Sequence, residues 1–248
     1  MKITFLGSSH GVPEVERYCS CTMIEINGSL YFVDAGAPMT DLMLRCGKHP
    51  NDVRAVFTTH AHGDHIIGLT SFVDLCNWHF KESHPIVFMT EKEHGDAIVH
   101  LATIMEHRMS FASDRIDMRV ANEGLLYEDE NVKVTYFRTK HIEPRPSYSI
   151  LIEAEGRKLL FTGDMSQWLA KEDFPVYPME NETDLVVCEM AHFTPDQVKP
   201  YVEKLKTKHL CFNHVFPFEK FEDIKAMDES SKYAFPITIA HDGDKIKL

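Results

Sequence analysis

Thr58-Thr59-His60-Ala61-His62-Gly63-Asp64-His65 places three imidazoles and a carboxylate in its last six positions, at the end of an apolar run that begins at Val53. Alternate residues of an extended segment point to one side, so His60 and His62 can converge on one ion. Gly63 permits a turn that lets Asp64 and His65 face a second. Imidazole and carboxylate suit zinc, iron or manganese rather than calcium or copper(I). A plain polar loop is the competing reading, and the density of ligand types argues against it.

The rest of the composition narrows the classes. With 248 residues and 44% hydrophobic composition the chain has ample material for one folded core. Thirty-eight acidic against 26 basic side chains give a net charge of -12, which disfavours a broad basic surface for nucleic acid. Six cysteines occur without a CxxC pair, so packed, reduced thiols are expected rather than a zinc ribbon or a disulfide scaffold. No run of 18 apolar residues occurs and the N-terminus lacks a secretory pattern, so a cytoplasmic protein with no membrane partner is expected.

Strands are predicted at Lys2 to Leu6, Thr22 to Ile26 and Leu30 to Val33, the last two joined by Asn27-Gly28-Ser29, a strong hairpin signal. A short helix is predicted over 38–47 and a strand from Val53 to Thr59. From about 69 to 123 the pattern reads as a helical insert broken by a strand at Pro85 to Met89. Strands follow at Val132 to Phe137, Tyr148 to Glu153, Lys158 to Thr162, Asp184 to Glu189 and Leu210 to Phe212. Helices are predicted at Thr194 to Lys206 and Phe218 to Ser230, and Ile237 to Ala240 is expected to pair with Lys245 to Leu248 around Asp242-Gly243. No linker or repeat separates two halves, so residues 1–248 are read as a single domain. Strands grouped before and after helices, without strict alternation, predict an α/β fold of two mixed sheets with helices on their outer faces.

His60-x-His62-x-Asp64-His65 after an apolar strand resembles the signature of the metallo-β-lactamase superfamily. The resemblance implies a four-layer αββα sandwich with a later His, an Asp and a further His, each at the end of a β element. His141, Asp164 and His214 match those three positions. By the resemblance, one ion binds His60, His62 and His141, the other binds Asp64, His65 and His214, and Asp164 bridges. The implied cofactors are two divalent metal ions, Zn2+ first, with Mn2+ or Fe2+ as alternatives. Two ions about 3.5–4 Å apart hold a hydroxide and lower its pKa toward neutrality, so hydrolysis is the expected reaction, with Asp64 orienting the hydroxide. Alternatives exist: Asp164 as a helix cap, His141 as an ordinary loop residue, and His209 or His241 in place of His214. His10, after the first strand, is read equally as a site neighbour or a surface residue.

Glu189-Met190-Ala191-His192-Phe193-Thr194 resembles the segment of the ribonuclease Z-like branch that supplies a histidine beside the metals without ligating them. The resemblance implies that His192 contacts the scissile phosphate and assists the leaving group; a purely structural hydrogen bond is the bland alternative. The interval between His141 and Asp164 is too short for the long arm with which ribonuclease Z grips tRNA. A small phosphodiester is therefore the expected substrate and no large nucleic acid is expected. A lactone or carboxylic ester hydrolysed at the same metals, and a non-hydrolytic metal-binding or redox role, are the alternatives. Within the insert, Trp78, His79, Phe80, Met105, His107, Arg108, Met109 and Phe111 are read either as core packing or as the lining of a pocket or a homodimer contact.

Overall fold

A computed structural model describes residues 1–12, 14–105, 110–231 and 233–248. Among them are fourteen strands, numbered in chain order, arranged in two mixed seven-stranded sheets of the α/β class. The chain divides into two compact units. The first comprises Met1–Gly7, Gly11–Asn122 and Asp242–Lys247; the second comprises Ser8–His10, Glu123–His241 and Leu248.

In the first unit the sheet order is β14-β1-β2-β3-β4-β5-β6. Its strands are β1 (Lys2–Gly7), β2 (Cys21–Ile26), β3 (Ser29–Ala35), β4 (Val53–Phe57), β5 (Ile86–Met89), β6 (Asp117–Val120) and β14 (Lys245–Lys247). The β2–β3 hairpin turns at Asn27 and Gly28, both at positive φ, as the sequence predicts. From β3 onward the pairing is parallel, with α1 (Met39–Arg45) between β3 and β4. Every residue of β3 is buried, as befits a central strand covered on both faces. A short helix, α2 (Gly63–Ile66), leads into α3 (Gly68–Trp78). Leu69, Phe72, Val73 and Cys76 recur at i, i+3, i+4 and i+7 along α3, and this stripe joins the core that also contains Phe32, Val56 and Val87. Helix α4 (Lys92–Met105) adds Ile98 and Ala102 to the same core.

In the second unit the order is β13-β12-β11-β10-β9-β8-β7. The strands are β7 (Gly124–Glu128), β8 (Lys133–Arg138), β9 (Tyr148–Ala154), β10 (Arg157–Phe161), β11 (Leu185–Met190), β12 (Leu210–Val215) and β13 (Ile237–Ile239). The helices are α5 (Tyr177–Glu180), α6 (Pro195–Val202) and α7 (Lys220–Ser231). Helix α6 starts with a capping box between Thr194 and Gln197 and has Pro195 in its first turn. Val198 and Val202 of α6 and Ile224 of α7 share a core with Leu160, Val186 and Phe212.

The pairing pattern of this sheet positions the site. Strands β10, β11 and β12 are mutually parallel, and β8 is antiparallel to β9, which is antiparallel to β10. Strands β8, β10, β11 and β12 therefore run in one direction and deliver their C-terminal ends to the same edge, where ligand sites of open α/β sheets form.

Two sequence expectations are corrected. The insert over 69–123 is not helical between its strands throughout, because Asp117–Val120 forms β6, an edge strand paired only with β5 among the described residues. Its half-exposed, mixed residues carry no period-2 signal. The C-terminal pair is also different: β13 lies parallel to β12, whereas β14 lies antiparallel to β1. Asp242-Gly243 does turn, but Gly243 N–H donates to Phe5 O and Phe5 N–H donates to Asp244 O, so the turn serves the β1 ladder.

All six cysteines are free; Cys21, Cys76, Cys188 and Cys211 are buried, and burial pushes the Cys76 thiol up to about 11. No described helix is long and apolar enough to cross a membrane.

Candidate metal centre

In the first unit the cluster begins at the end of β3, not in the histidine segment. Asp34, buried and at positive φ, accepts from the main-chain N–H of Thr59 at 2.7 Å and from Thr59 Oγ1–H at 2.8 Å. The same carboxylate lies 2.7 Å from His65 Nδ1, which must therefore carry the proton that it donates. Because the Thr59 hydroxyl spends its hydrogen on Asp34, Thr59 Oγ1 accepts from His60 Nδ1 at 3.1 Å. With the Nδ1 proton committed in both rings, Nε2 is the unprotonated atom that a cation would take, the arrangement by which an outer carboxylate fixes the tautomer of a ligating histidine.

His60 Nε2 and His62 Nδ1 are 3.0 Å apart, and His65 Nε2 and Asp64 Oδ2 are 3.4 Å apart. Two ligand atoms on a tetrahedral zinc with Zn–N near 2.0–2.1 Å are about 3.3 Å apart, so both pairs have the spacing of co-ligands. The Asp64 loop is held against the end of β3: a Cβ on Gly36 would lie 1.6 Å from Asp64 O, so this position admits only glycine.

The second unit supplies the other cluster from the common edge of its sheet. His141 follows β8, Asp164 follows β10, His192 follows β11, and His214 sits within the last turn of β12 at a left-handed φ of 54°. Gly163, at φ 60°, turns the chain after β10 and brings in the Asp164 carboxylate. Asp164 Oδ2 lies 3.4 Å from His214 Nε2, 3.8 Å from His141 Nε2 and 3.7 Å from His192 Nδ1. His141, Asp164 and His192 each offer a ligand-type atom within 4.8 Å of the others. The Nδ1 atoms of His141 and His214 donate to Met165 O and Ser9 O, both at 3.0 Å, which again leaves Nε2 for a cation. Burial lowers the His141 pKa, favouring the neutral imidazole that coordination requires. The donor set and spacing in each unit fit a divalent metal of the zinc, iron or manganese type.

His192 is held differently. Both oxygens of buried Glu189 lie within 3.0 Å of its Nδ1, and Glu189 also accepts from the main-chain N–H groups of Met165, Ala191 and His192. The carboxylate fixes Nδ1–H and leaves Nε2 as the proton-exchanging atom. The loop that carries His192 is fastened by Lys220, whose buried ammonium donates to the carbonyls of Met190, Ala191 and Phe193 at 2.9, 3.1 and 2.6 Å. Asp173 plays the same part for His141, accepting from Lys140 N–H and Ser166 N–H at 2.8 Å.

Asp164 caps no helix; the segment after it forms a short turn over Gln167–Leu169. His209 Nε2 bonds Thr238 Oγ1 at 2.8 Å and the His241 ring lies tilted against Phe221 with centroids 5.4 Å apart, and neither falls in a described ligand cluster. His10 is buried, lies on Phe216 with ring centroids 3.7 Å apart and meets the His214 ring edge-on. Of the insert residues, Phe111 packs on the first unit's core and Trp78 and Met105 are exposed; His107, Arg108 and Met109 lie outside the described residues. Asp34, Glu189, Asp173 and Lys220 were not legible as site residues. The only local signal was an acid at the end of a strand, Asp34 before Ala35-Gly36 and Glu189 before Met190-Ala191-His192.

Asp34 allows a direct test of orientation. D34A is expected to weaken zinc binding by about 10–100-fold while leaving secondary structure intact, because His65 loses the group that fixes its ring. Competition with a chromogenic chelator measures the loss; unchanged affinity would mean that Asp34 does not hold a ligand.

Two mixed seven-stranded sheets with histidines and carboxylates at their strand ends are those of the metallo-β-lactamase fold, and the ribonuclease Z homologues place the chain in the ribonuclease Z-like branch of that superfamily. More narrowly, the chain belongs to the family described as Anti-Pycsar protein Apyc1, whose model matches residues 1–222. It is 29% identical over 152 residues to ribonuclease Z of Gloeothece citriformis (strain PCC 7424), a match covering 60% of this chain and 46% of that protein. The chain thus spans about half the length of such relatives. Its fold is similar to that of human tRNase Z, short form, with TM-score 0.76 and 19% identity, covering 100% of this chain and 99% of that one. It is also similar to the metallo-β-lactamase fold protein YhfI from Bacillus subtilis, with TM-score 0.75 and 15% identity over 99% of this chain and 98% of that one.

Proposed function

We propose that this chain is a dinuclear metal-dependent hydrolase of small phosphodiesters. The observation that carries the reading is His192, an imidazole clamped at Nδ1 by Glu189 and set 3.7 Å from the Asp164 carboxylate among ligand-type histidines. A proton donor fixed in this way is needed where the leaving group is an alkoxide. The relatives named as ribonucleases support phosphodiester chemistry, and the short connection between His141 and Asp164 supports a small substrate. The family resemblance assigns two ions, with His60, His62, Asp64 and His65 as ligands from the first unit and His141, Asp164 and His214 from the second.

Divalent ions, when bound there, lower the pKa of water and neutralise charge on the phosphoryl oxygens. Asp64 accepts a hydrogen bond from the attacking water and aligns it. Glu189 keeps His192 in one tautomer and orientation and stabilises its protonated form. His192 Nε2–H then donates its proton to the departing ester oxygen as the P–O bond breaks, giving a phosphomonoester and an alcohol. Lys220 and Asp173 hold the loops of His192 and His141 in place.

A substrate panel on zinc-replete protein tests this reading: 2′,3′-cyclic and 3′,5′-cyclic nucleotides, bis-p-nitrophenyl phosphate, a p-nitrophenyl carboxylic ester and a lactone. Turnover of phosphodiesters well above that of the ester and the lactone is expected. A preference for either carboxylic substrate would contradict it.

A further inference from the structure

The two sheets end in the edge strands β14, β6, β13 and β7. An open edge presents unpaired main-chain groups, and proteins guard it with charge or with a break in register. Strand β14 carries Lys245 and Lys247, β6 carries Asp117 and Arg119, and the β7 ladder shifts register between Leu125 and Tyr127. Strand β13, Ile237-Thr238-Ile239, has neither a charge nor a shift, and it pairs with β12 alone among the described residues. Leu210 N–H donates to Pro236 O and Ala240 N–H donates to Phe212 O. By the alternation of a ladder, Thr238 also faces β12, and the main-chain groups of Ile237 and Ile239 point away from the sheet.

Beside that open edge, between β13 and α7, lies a groove of about 440 Å³, within the range of about 300–1,000 Å³ usual for ligand pockets. Its walls are apolar. Ile237 and Ile239, on one face of β13, pack on the core that contains Phe221 and Ile224 of α7. Phe218, 63% exposed, stacks on Phe221 with ring centroids 4.7 Å apart. The rim is acidic: Glu219, Glu222, Asp223, Asp228 and Glu229 all reach solvent, against one exposed lysine in that stretch, Lys225, which is spent on Glu222. Asp228, which lines the groove, has no ion-pair partner among the described residues. An open edge strand beside an apolar groove takes an extended peptide as an added strand: main-chain bonds hold it and alternate side chains enter the groove.

We propose that this face docks an extended basic peptide segment of a partner protein. The segment adds a strand to β13, places one large apolar side chain among Phe218, Phe221 and Ile239, and brings a lysine or arginine to Asp228. The acid excess along α7 favours a basic segment over a second copy of this chain, which would bring the same charge to the contact. The docking does not depend on the proposed hydrolysis.

Selection of a random heptapeptide display library on the full-length chain tests the assignment. Enriched peptides should share one large apolar residue with a lysine or arginine nearby. F218A, which truncates a mostly exposed ring, should weaken binding of a selected, fluorescein-labelled peptide about tenfold, and D228K should do so by a similar factor. I239P removes an N–H that faces away from β12 and should weaken binding as well. Strand addition has its own signature. N-methylation of alternate peptide residues should abolish binding for one set and spare the other, because only every second residue of an added strand faces β13. F218A and the methylated peptides leave β13 unchanged, so the test stands even if I239P does not fold. No enrichment over the F218A variant, selected peptides that bind F218A as tightly as the wild type, or methylated sets that behave alike would overturn the proposal. So would a concentration-dependent dimer in sedimentation that F218A abolishes, since a second copy would then be the occupant.

Discussion

D164A is expected to lower kcat/KM for a phosphodiester by at least about 10³-fold and to leave fewer than two metal ions on each chain. Asp164 is the carboxylate that the family resemblance places among the second unit's metal ligands, within 3.4–3.8 Å of nitrogen atoms on His141, His192 and His214. Its removal leaves neutral imidazoles, which bind a divalent cation more weakly than a set containing an anion, and takes away the position that the family resemblance assigns as bridging. D164N separates charge from shape. It keeps an oxygen acceptor in the same place but no negative charge, and it should resemble D164A in metal content. Kinetics with metal analysis on the same preparations measure both effects. A loss of less than about tenfold with both ions retained would mean that Asp164 lies outside the metal site.

H192A should show a different signature. Loss of a positioned general acid typically costs about 10²–10⁴-fold in rate, and that cost falls on reactions whose leaving group needs a proton. For a cyclic nucleotide, which expels an alkoxide, kcat should fall within that range. For bis-p-nitrophenyl phosphate, whose p-nitrophenolate leaves without protonation, the loss should be less than about tenfold. Metal content should be unchanged, because Glu189 rather than an ion holds the ring at Nδ1. E189Q keeps the shape of the clamp but removes its charge, and should reproduce a smaller loss of the same kind. Equal losses on both leaving groups would make His192 a binding or structural residue instead of a proton donor.

The candidate site was legible in the sequence wherever it is local. His60 to His65 are consecutive, and the turns that carry His141 and Asp164 follow strands whose apolar pattern marks them. The supporting groups were hidden because they are distant in sequence. Asp34 reaches His65 across 31 positions, and Lys220 holds main-chain carbonyls, which no side-chain motif records. Glu189 was visible as a residue but not as the clamp on His192, since that depends on the chain folding back over three residues after β11. The two fold corrections have a related origin. Strand β6 is an edge with mixed residues, and the Asp242-Gly243 turn looks like a hairpin locally while each neighbouring strand finds a better partner elsewhere. Local turn chemistry fixes a change of direction; it does not fix which strand is met afterwards.

Removal of metal with a chelator, followed by stepwise return of Zn2+ while cyclic-nucleotide hydrolysis is recorded, tests the dinuclear phosphodiesterase most directly. Activity should be absent without metal and should rise to a plateau reached at two equivalents per chain. Hydrolysis that persists in fully chelated protein, or a plateau complete at one equivalent, would contradict it.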